Sequence, residues 1–286
     1  MVRIRQALAP DREGVSRYLH DNMNQRIPIE RWRDYTSGRW ADDLPEFGVI
    51  AEDDGRMVGF LGVVYAKRVI GGQSRTTGNL GAFFVERDYR GRGLGLDILG
   101  AIMARDDVTY TTFSSNPPAR RLVLKAGMEL LDDRRLLWHP GGRASTTVDI
   151  SSDVTRFADR LAAPAKQTLS DHADLGLQSF VIREPDGSVC LVILYVKLKG
   201  EDIAYHEVLH VSDAAIFGRH IRAFAAHILP SGRAVLSVDS RFLDSSVEPD
   251  AVEEIPGPRY FRPAGLAPAE VDFLYSETVL LGLKLY

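Results

Sequence analysis

Apolar and polar positions alternate over residues 2–8, so the chain opens on a strand. Pro10 and Asp11 then start a helix with Val15, Tyr18 and Leu19 as its apolar stripe. A second helix is predicted over 29–40. Strands at 47–52 and 57–66 flank the turn signal Asp53-Asp54-Gly55 and read as a hairpin. Further strands at 79–85 and 108–114 bracket a helix over 94–105. Asn116, followed by two prolines, caps a helix that Gly127 ends, and 128–138 reads as a strand.

Residues 140–147, rich in Gly, Ser and Thr, look like a linker, and a helix is predicted over 154–169. The second half then repeats the plan of the first. Val49-Ile-Ala-Glu-Asp-Asp-Gly55 matches Val181-Ile-Arg-Glu-Pro-Asp-Gly187 at five of seven positions, 132 residues apart. Each copy leads into a strand ending in Tyr-x-Lys, at Tyr65/Lys67 and Tyr195/Lys197. A strand at 204–211, a helix at 214–229, a strand at 234–239 and a closing strand at 271–285 follow in the order of the first half. Turn physics alone makes Asp-Gly hairpins common, but five elements in matched order favour a structural duplication.

The fold class expected is therefore α/β, more fully mixed α+β, in two domains, 1–140 and 150–286. The length of 286 residues fits two domains. An apolar share of 45% and a net charge of −4 indicate a globular chain without a basic nucleic-acid footprint or a polybasic membrane patch. The lone Cys190 excludes a disulfide framework and a Cys-based zinc site, and its apolar run, 190–196, reads as a buried strand. With no apolar signal core at the N-terminus, the expectation is a soluble, cytoplasmic protein with no metal.

Chemistry concentrates in Phe83-Phe-Val-Glu-Arg-Asp-Tyr-Arg-Gly-Arg-Gly-Leu-Gly-Leu96, where strand, turn and helix meet. Three glycines let the backbone approach a ligand closely. The N–H groups and dipole of the following helix, with Arg90 and Arg92, would make a pyrophosphate cradle. A dinucleotide fingerprint fails on spacing, because Leu96 and Ile98 stand where its third glycine would be, and a P-loop lacks its Gly-Lys-Ser/Thr.

At this point the chain resembles the GCN5-related N-acetyltransferase (GNAT) superfamily. That family's Arg/Gln-x-x-Gly-x-Gly/Ala motif after its fourth strand is matched by Arg90, Gly93 and Gly95. Its Asn-x-x-Ala-x-x-Leu-Tyr-x-Lys-x-Gly-Phe pattern is matched at Asn116, Ala119, Leu122, Lys125 and Gly127, with Met128 at the aromatic position. The resemblance covers about residues 2–140. It implies an N-acyltransferase with acetyl-CoA or another acyl-CoA as co-substrate, acting by direct attack of an amine. The acceptor would be an amine of a small molecule, amino sugar, amino acid or peptide. The implied CoA-binding residues are Phe84, Val85, Arg90, Gly91, Arg92, Gly93, Leu94, Gly95 and Asn116. Backbone N–H donors near the fourth strand would polarise the thioester carbonyl. Where the family often carries a tyrosine that protonates the thiolate, this chain has Val123. Glu86 is the carboxylate nearest the strand end and the candidate base, with a solvated turn residue as the alternative.

The second half lacks the cradle: Asp213 opens its helix and would repel phosphate. It reads as a degenerate GNAT-like domain. There, His206 and His210 are expected on one face of a strand and Glu207 on the other. Two histidines four apart on a strand are too widely spaced for an easy metal chelate and no third ligand is obvious, so these are either ordinary satisfied polar residues or the lining of an acceptor cleft. A non-catalytic acyl-CoA sensor or scaffold is the alternative function. An aminoacyl or peptidyl transferase fits less well, because those paired-domain proteins typically lack the arginine-rich cradle. The chain is expected to be a monomer or a homodimer.

Overall fold

The computed structural model describes residues 1–141, 148–200, 202–230 and 232–284. Most of the expected linker, 142–147, and the end of the expected closing strand, Leu285, lie outside the described residues. Contacts divide the chain into two units. The first is Met1–Leu131 with Gly257–Glu270 and the chain from Tyr275 onward; the second is Asp132–Pro256 with Val271–Leu274. The chain expected to divide once, near 140–150, thus changes unit several times.

The first unit contains β1 (Arg3–Ala7), α1 (Arg12–Asn22), α2 (Ile29–Tyr35), β2 (Gly48–Asp53), β3 (Arg56–Ile70), β4 (Gln73–Val85), α3 (Leu94–Ile102), β5 (Val108–Thr112) and α4 (Pro117–Lys125). β6 (Glu129–Trp138) starts in the first unit and enters the second. The second unit holds β7 (Asp149–Ser151), α5 (Ala163–Asp171), β8 (Gln178–Arg183), β9 (Val189–Lys199), β10 (Ile203–Val211), α6 (Ala214–Ile228) and β11 (Ala234–Asp239). β12 (Ala251–Arg262) ends in the first unit, as does α7 (Glu277–Leu280).

Each unit carries a mixed sheet of one plan. In the first, β1, β2, β3 and β4 are successive antiparallel neighbours, and β4 pairs parallel to β5. Residues 260–262 of β12 close that side, antiparallel to β5. In the second, β7, β8, β9 and β10 are successive antiparallel neighbours, and β10 pairs parallel to β11. Residues 135–138 of β6 pair antiparallel with β11. A parallel neighbour needs a crossover, which α3 supplies in one unit and α6 in the other.

α3 buries Leu94, Ile98, Leu99 and Ile102, the stripe of an amphipathic helix, in a core with Val49, Val58, Leu61, Val63, Leu80 and Tyr110. α4 begins where the Asn116 side chain accepts the Ala119 N–H at 3.0 Å. It ends at Gly127, left-handed at φ 85°, with the Met128 N–H reaching back to the Val123 carbonyl at 3.0 Å.

Several elements differ from expectation. The second helix stops at Tyr35, because Gly38 takes φ 74° shortly after. β3 and β4 run on through polar residues to a two-residue turn, Gly71-Gly72, with φ 58° and 75°. The helix expected over 154–169 is a short 3-10 turn, Val154–Phe157, followed by α5, whose first turn contains Pro164. Among the described residues the closing strand expected at 271–285 does not form; the strand is β12, whose Pro256 and Pro258 read as a loop. The matched heptapeptides also part: Asp53 pairs directly with Arg56, whereas Pro185 lacks an N–H and the second loop opens to 184–188.

Candidate functional site

β4 and β5 pair only as far as Asn79 and Thr111. From Leu80 to Val85, β5 supplies no ladder partner to β4. In the same stretch β4 carries a bulge: Phe60 faces Phe84 and Gly62 faces Gly81, so β4 holds one more residue than β3. Ala82 within it adopts φ 52°, a left-handed conformation that costs a non-glycine residue about 1–2 kcal/mol. The bulge turns the Ala82 N–H away from β3.

The turn after β4 follows the glycines. Gly91 and Gly93 are left-handed at φ 77° and 87°, and a Cβ on either would meet nothing within 4 Å. Their glycine is required by conformation, not by packing. Gly95 differs: a Cβ there would come within 2.9 Å of Leu122, so it lets α3 approach α4. Gly93 is the N-cap of α3 and no side chain caps the helix. Its first N–H groups, with the positive dipole end, face an exposed turn. Arg90 folds back to the strand: its Nε donates to the Val85 carbonyl at 2.7 Å and its guanidinium lies 5.7 Å from the Phe84 ring. Arg92 is exposed.

Phe84, Val85, Arg90, Gly91, Arg92, Gly93, Leu94 and Gly95 are therefore consecutive parts of one strand end, turn and helix start. Asn116 stands at the start of α4, and its Oδ1 is engaged in capping that helix. Glu86 lies at the same strand end, but Arg56 holds both its oxygens, at 2.6 and 2.8 Å. Val123, at the family's tyrosine position, is buried in the core.

A different carboxylate reaches the bulge. Glu277, the first residue of α7, is fully buried, and its Oε2 accepts the Ala82 N–H at 2.9 Å. Ser114, two residues past β5, donates its hydroxyl to Glu277 Oε1. The Glu277 N–H donates to Asn79 Oδ1 at 2.9 Å, and Asn79 Nδ2 donates to Thr111 Oγ1 at 3.0 Å. Glu277 thus bridges the opening where β4 leaves β5. Burial pushes its carboxyl up to about 7, against the smaller opposing effects of the Ser114 and Ala82 hydrogen bonds. Two glycines make room: a Cβ on Gly81 would overlap Glu277 Oε2, and one on Gly62 would overlap the Tyr35 hydroxyl. The Tyr35 hydroxyl is buried without a hydrogen-bond partner, and burial and the Glu277 charge raise it well above the usual tyrosine range. Nothing in the local sequence around Glu277 marks it, since its partners lie 163 to 198 residues upstream.

Residues 13–128 match the model of the acetyltransferase (GNAT) family. The matched stretch falls within the first unit and spans less than half of the chain. No curated protein matches the chain. Among solved structures, a GCN5-related N-acetyltransferase from Anabaena variabilis ATCC 29413 aligns at 14% identity with TM-score 0.61, over 94% of this chain and 74% of that one. One from Kribbella flavida aligns at 13% identity with TM-score 0.58, over 92% and 71%. At such identities the likeness is one of fold.

Among the described residues, the helix start that follows β10 in the second unit is capped rather than open. Asp213 caps α6 with its own carboxylate, accepting the Ile216 N–H at 2.8 Å. The β10 bulge carbonyl of Leu209 accepts the Phe273 N–H at 3.0 Å. That bulge also corrects an expectation about the histidines. It shifts the register between Val208 and His210, so His210 faces the same side as Glu207, opposite His206. Glu207 is buried against Arg135, at 2.8 Å, and Lys199, while His210 Nδ1 meets Asp272 Oδ2 at 2.7 Å. Cys190 is a buried strand thiol, pushed up to about 12 by desolvation. Among the described residues, no group of three or more His, Cys, Asp or Glu side chains gathers as a metal site, and no helix is long and apolar enough to cross a membrane.

Proposed function

We propose that the chain moves an acetyl or other acyl group from acyl-CoA to an amine acceptor, by direct attack of nitrogen on the thioester. One observation carries this reading: the exposed turn 90–95, with its two left-handed glycines, an uncapped α3 N-terminus and the charges of Arg90 and Arg92. Its donors suit a pyrophosphate. The turn continues directly from the part of β4 that lacks β5 as a partner, and this edge near Phe84 and Val85 suits the amides of a pantetheine arm. Leu94 and Gly95 would add backbone donors, and Asn116 would keep α4 beside the arm by capping it.

The second unit, in this proposal, is a degenerate copy that holds no CoA. Its matched strand order, the alignment to GCN5-related folds over 94% of the chain, and the Asp213 cap on α6 support that reading. Val123 favours a second reading, an acyl-CoA sensor without turnover, because the family's proton-donating tyrosine is missing there.

Free-thiol release from acetyl-CoA, measured with spermidine, glucosamine, lysine and a short peptide, tests both. Turnover with at least one amine is expected. Binding of CoA without thiol release from any of them supports the sensor.

A further inference from the structure

Glu277 has the placement of a reacting group. Its carboxylate spans the two strand ends, from Ala82 on β4 to Ser114 beyond β5, at the apex of the opening assigned above to the acyl-CoA arm. Two hydrogen bonds fix the carboxylate and a third, from the Glu277 backbone N–H to Asn79, fixes the residue, and every partner is a neutral group. The contrast with Glu207 in the second unit is informative: that buried carboxylate has Arg135 and Lys199 against it, as a structural charge requires. Among the described residues Glu277 has no cationic partner. The Gly62–Gly81 pair gives up two side chains, and so two packing contacts, to admit Glu277 and Tyr35 to the strand surface.

We propose that Glu277 is the proton carrier of the acyl transfer, an inference that rests on the acyltransferase reading above. As the amine nitrogen forms its bond to the thioester carbon, the C–S bond breaks and its electron pair leaves on sulfur. Glu277 takes the proton that nitrogen sheds and returns it to the thiolate. The sum is amine plus thioester to amide plus thiol, with the carboxylate regenerated. A carboxyl balanced near neutrality can both accept and release a proton at working pH, which offsets the absence of a tyrosine at Val123. Tyr35 is the titratable group that faces it from α2; Asn79, Ser114 and Thr111 complete the surround from β4 and β5. The Tyr35 hydroxyl is a buried donor without a hydrogen-bond partner.

The test compares the parent chain with Glu277→Gln and Ser114→Ala. It uses acetyl-CoA and whichever amine of the four above the parent turns over fastest, from about pH 5.5 to about pH 9. Glu277→Gln is expected to bind acetyl-CoA within about twofold of the parent and to lose at least about 100-fold in kcat, without the acidic limb of the parent profile. Ser114→Ala keeps the carboxylate but removes a hydrogen bond that favours its charged form, so its acidic limb moves to higher pH. A kcat for Glu277→Gln within about threefold of the parent overturns the inference. So does an unmoved limb in Ser114→Ala, which also decides the matter if Glu277→Gln does not fold. A parent that binds acetyl-CoA but releases no thiol with any amine refutes the transferase reading itself, and this inference falls with it.

Discussion

Glu277 and Ala82 are 195 residues apart in sequence, yet the Glu277 Oε2 accepts the Ala82 N–H at 2.9 Å. Each explains an oddity of the other. Ala82 takes a left-handed conformation that its side chain disfavours, and the donor it frees from the ladder is the one that holds the carboxylate. Glu277 gives up hydration, and the bulge returns part of that cost as a hydrogen bond. Gly81 sits between them with no side chain. Gly81→Ala is therefore expected to expel the carboxylate and lower stability by about 1–3 kcal/mol, through a Cβ that overlaps Oε2. Gly91→Ala keeps its Cβ in open space, so its effect is confined to the strain of φ 77°, about 1–2 kcal/mol. Urea unfolding of both variants, with hydrogen exchange at 276–284, distinguishes the two. Only Gly81→Ala should raise exchange in that segment.

The raised carboxyl makes stability depend on pH with a definite sign. Folded Glu277 keeps its proton up to about 7, whereas an unfolded glutamate loses it near its ordinary 4.5. Between those values the folded state binds the extra proton, so the term favours folding at low pH and is lost as pH rises. It amounts to about 3 kcal/mol at most across that window. Tyr35, raised well above its usual range, stays neutral throughout. The stability of the parent relative to Glu277→Gln should therefore fall by up to that amount between about pH 4.5 and about pH 7.5. Urea midpoints at the two ends measure it, and a flat difference would contradict the burial of the charge.

The cradle makes a separate prediction. Arg90→Glu reverses a charge beside the uncapped start of α3, and Gly93→Asp puts a carboxylate at the N-cap in a left-handed position. Each is expected to weaken CoA binding by at least about 100-fold, equivalent to roughly 3 kcal/mol. Calorimetric titration with CoA checks this, with circular dichroism confirming the fold. Unchanged affinity in a folded variant would remove residues 90–95 from the binding site.

The turn itself was legible because everything it needs is contiguous: the end of β4, Arg90, Arg92, three glycines and the start of α3 fall within Phe83–Leu96. The cap at Asn116 and the stop at Gly127 were legible for the same reason, being set by residues within one turn of helix. Long-range pairing was not. β12 passes through Pro256 and Pro258, which signal a loop locally, and only its partner Tyr110–Thr112 makes residues 260–262 a strand end. Glu277 reads as one more charged residue until Ala82 and Ser114 stand against it. Glu86 was singled out because sequence distance stood in for space, and the Arg56 guanidinium that pairs with it lies 30 residues upstream. The facing of His210 depended on one extra residue in β10, which no alternation pattern shows.

The second unit has its own buried charge network, and its logic differs from that of Glu277. Arg135 donates to Glu207 and to Glu253, each at 2.8 Å, and Lys199 also reaches Glu207. Tyr205 lies under this cluster, with its ring 5.0 Å from the Arg135 guanidinium and its hydroxyl donating to Glu253 at 3.2 Å. Arg135→Met would keep most of the side-chain volume but leave Glu207 with Lys199 as its remaining cation. A broken buried pair costs about 3–5 kcal/mol, since the stranded charge keeps its desolvation penalty. The retained lysine places the expected loss at the low end, about 3 kcal/mol. Pairing it with Glu207→Gln removes the stranded charge, so the double variant should be more stable than Arg135→Met alone. Urea unfolding of the two singles and the double closes that cycle; a double variant as unstable as the sum of the singles would show that Arg135 acts through packing rather than charge.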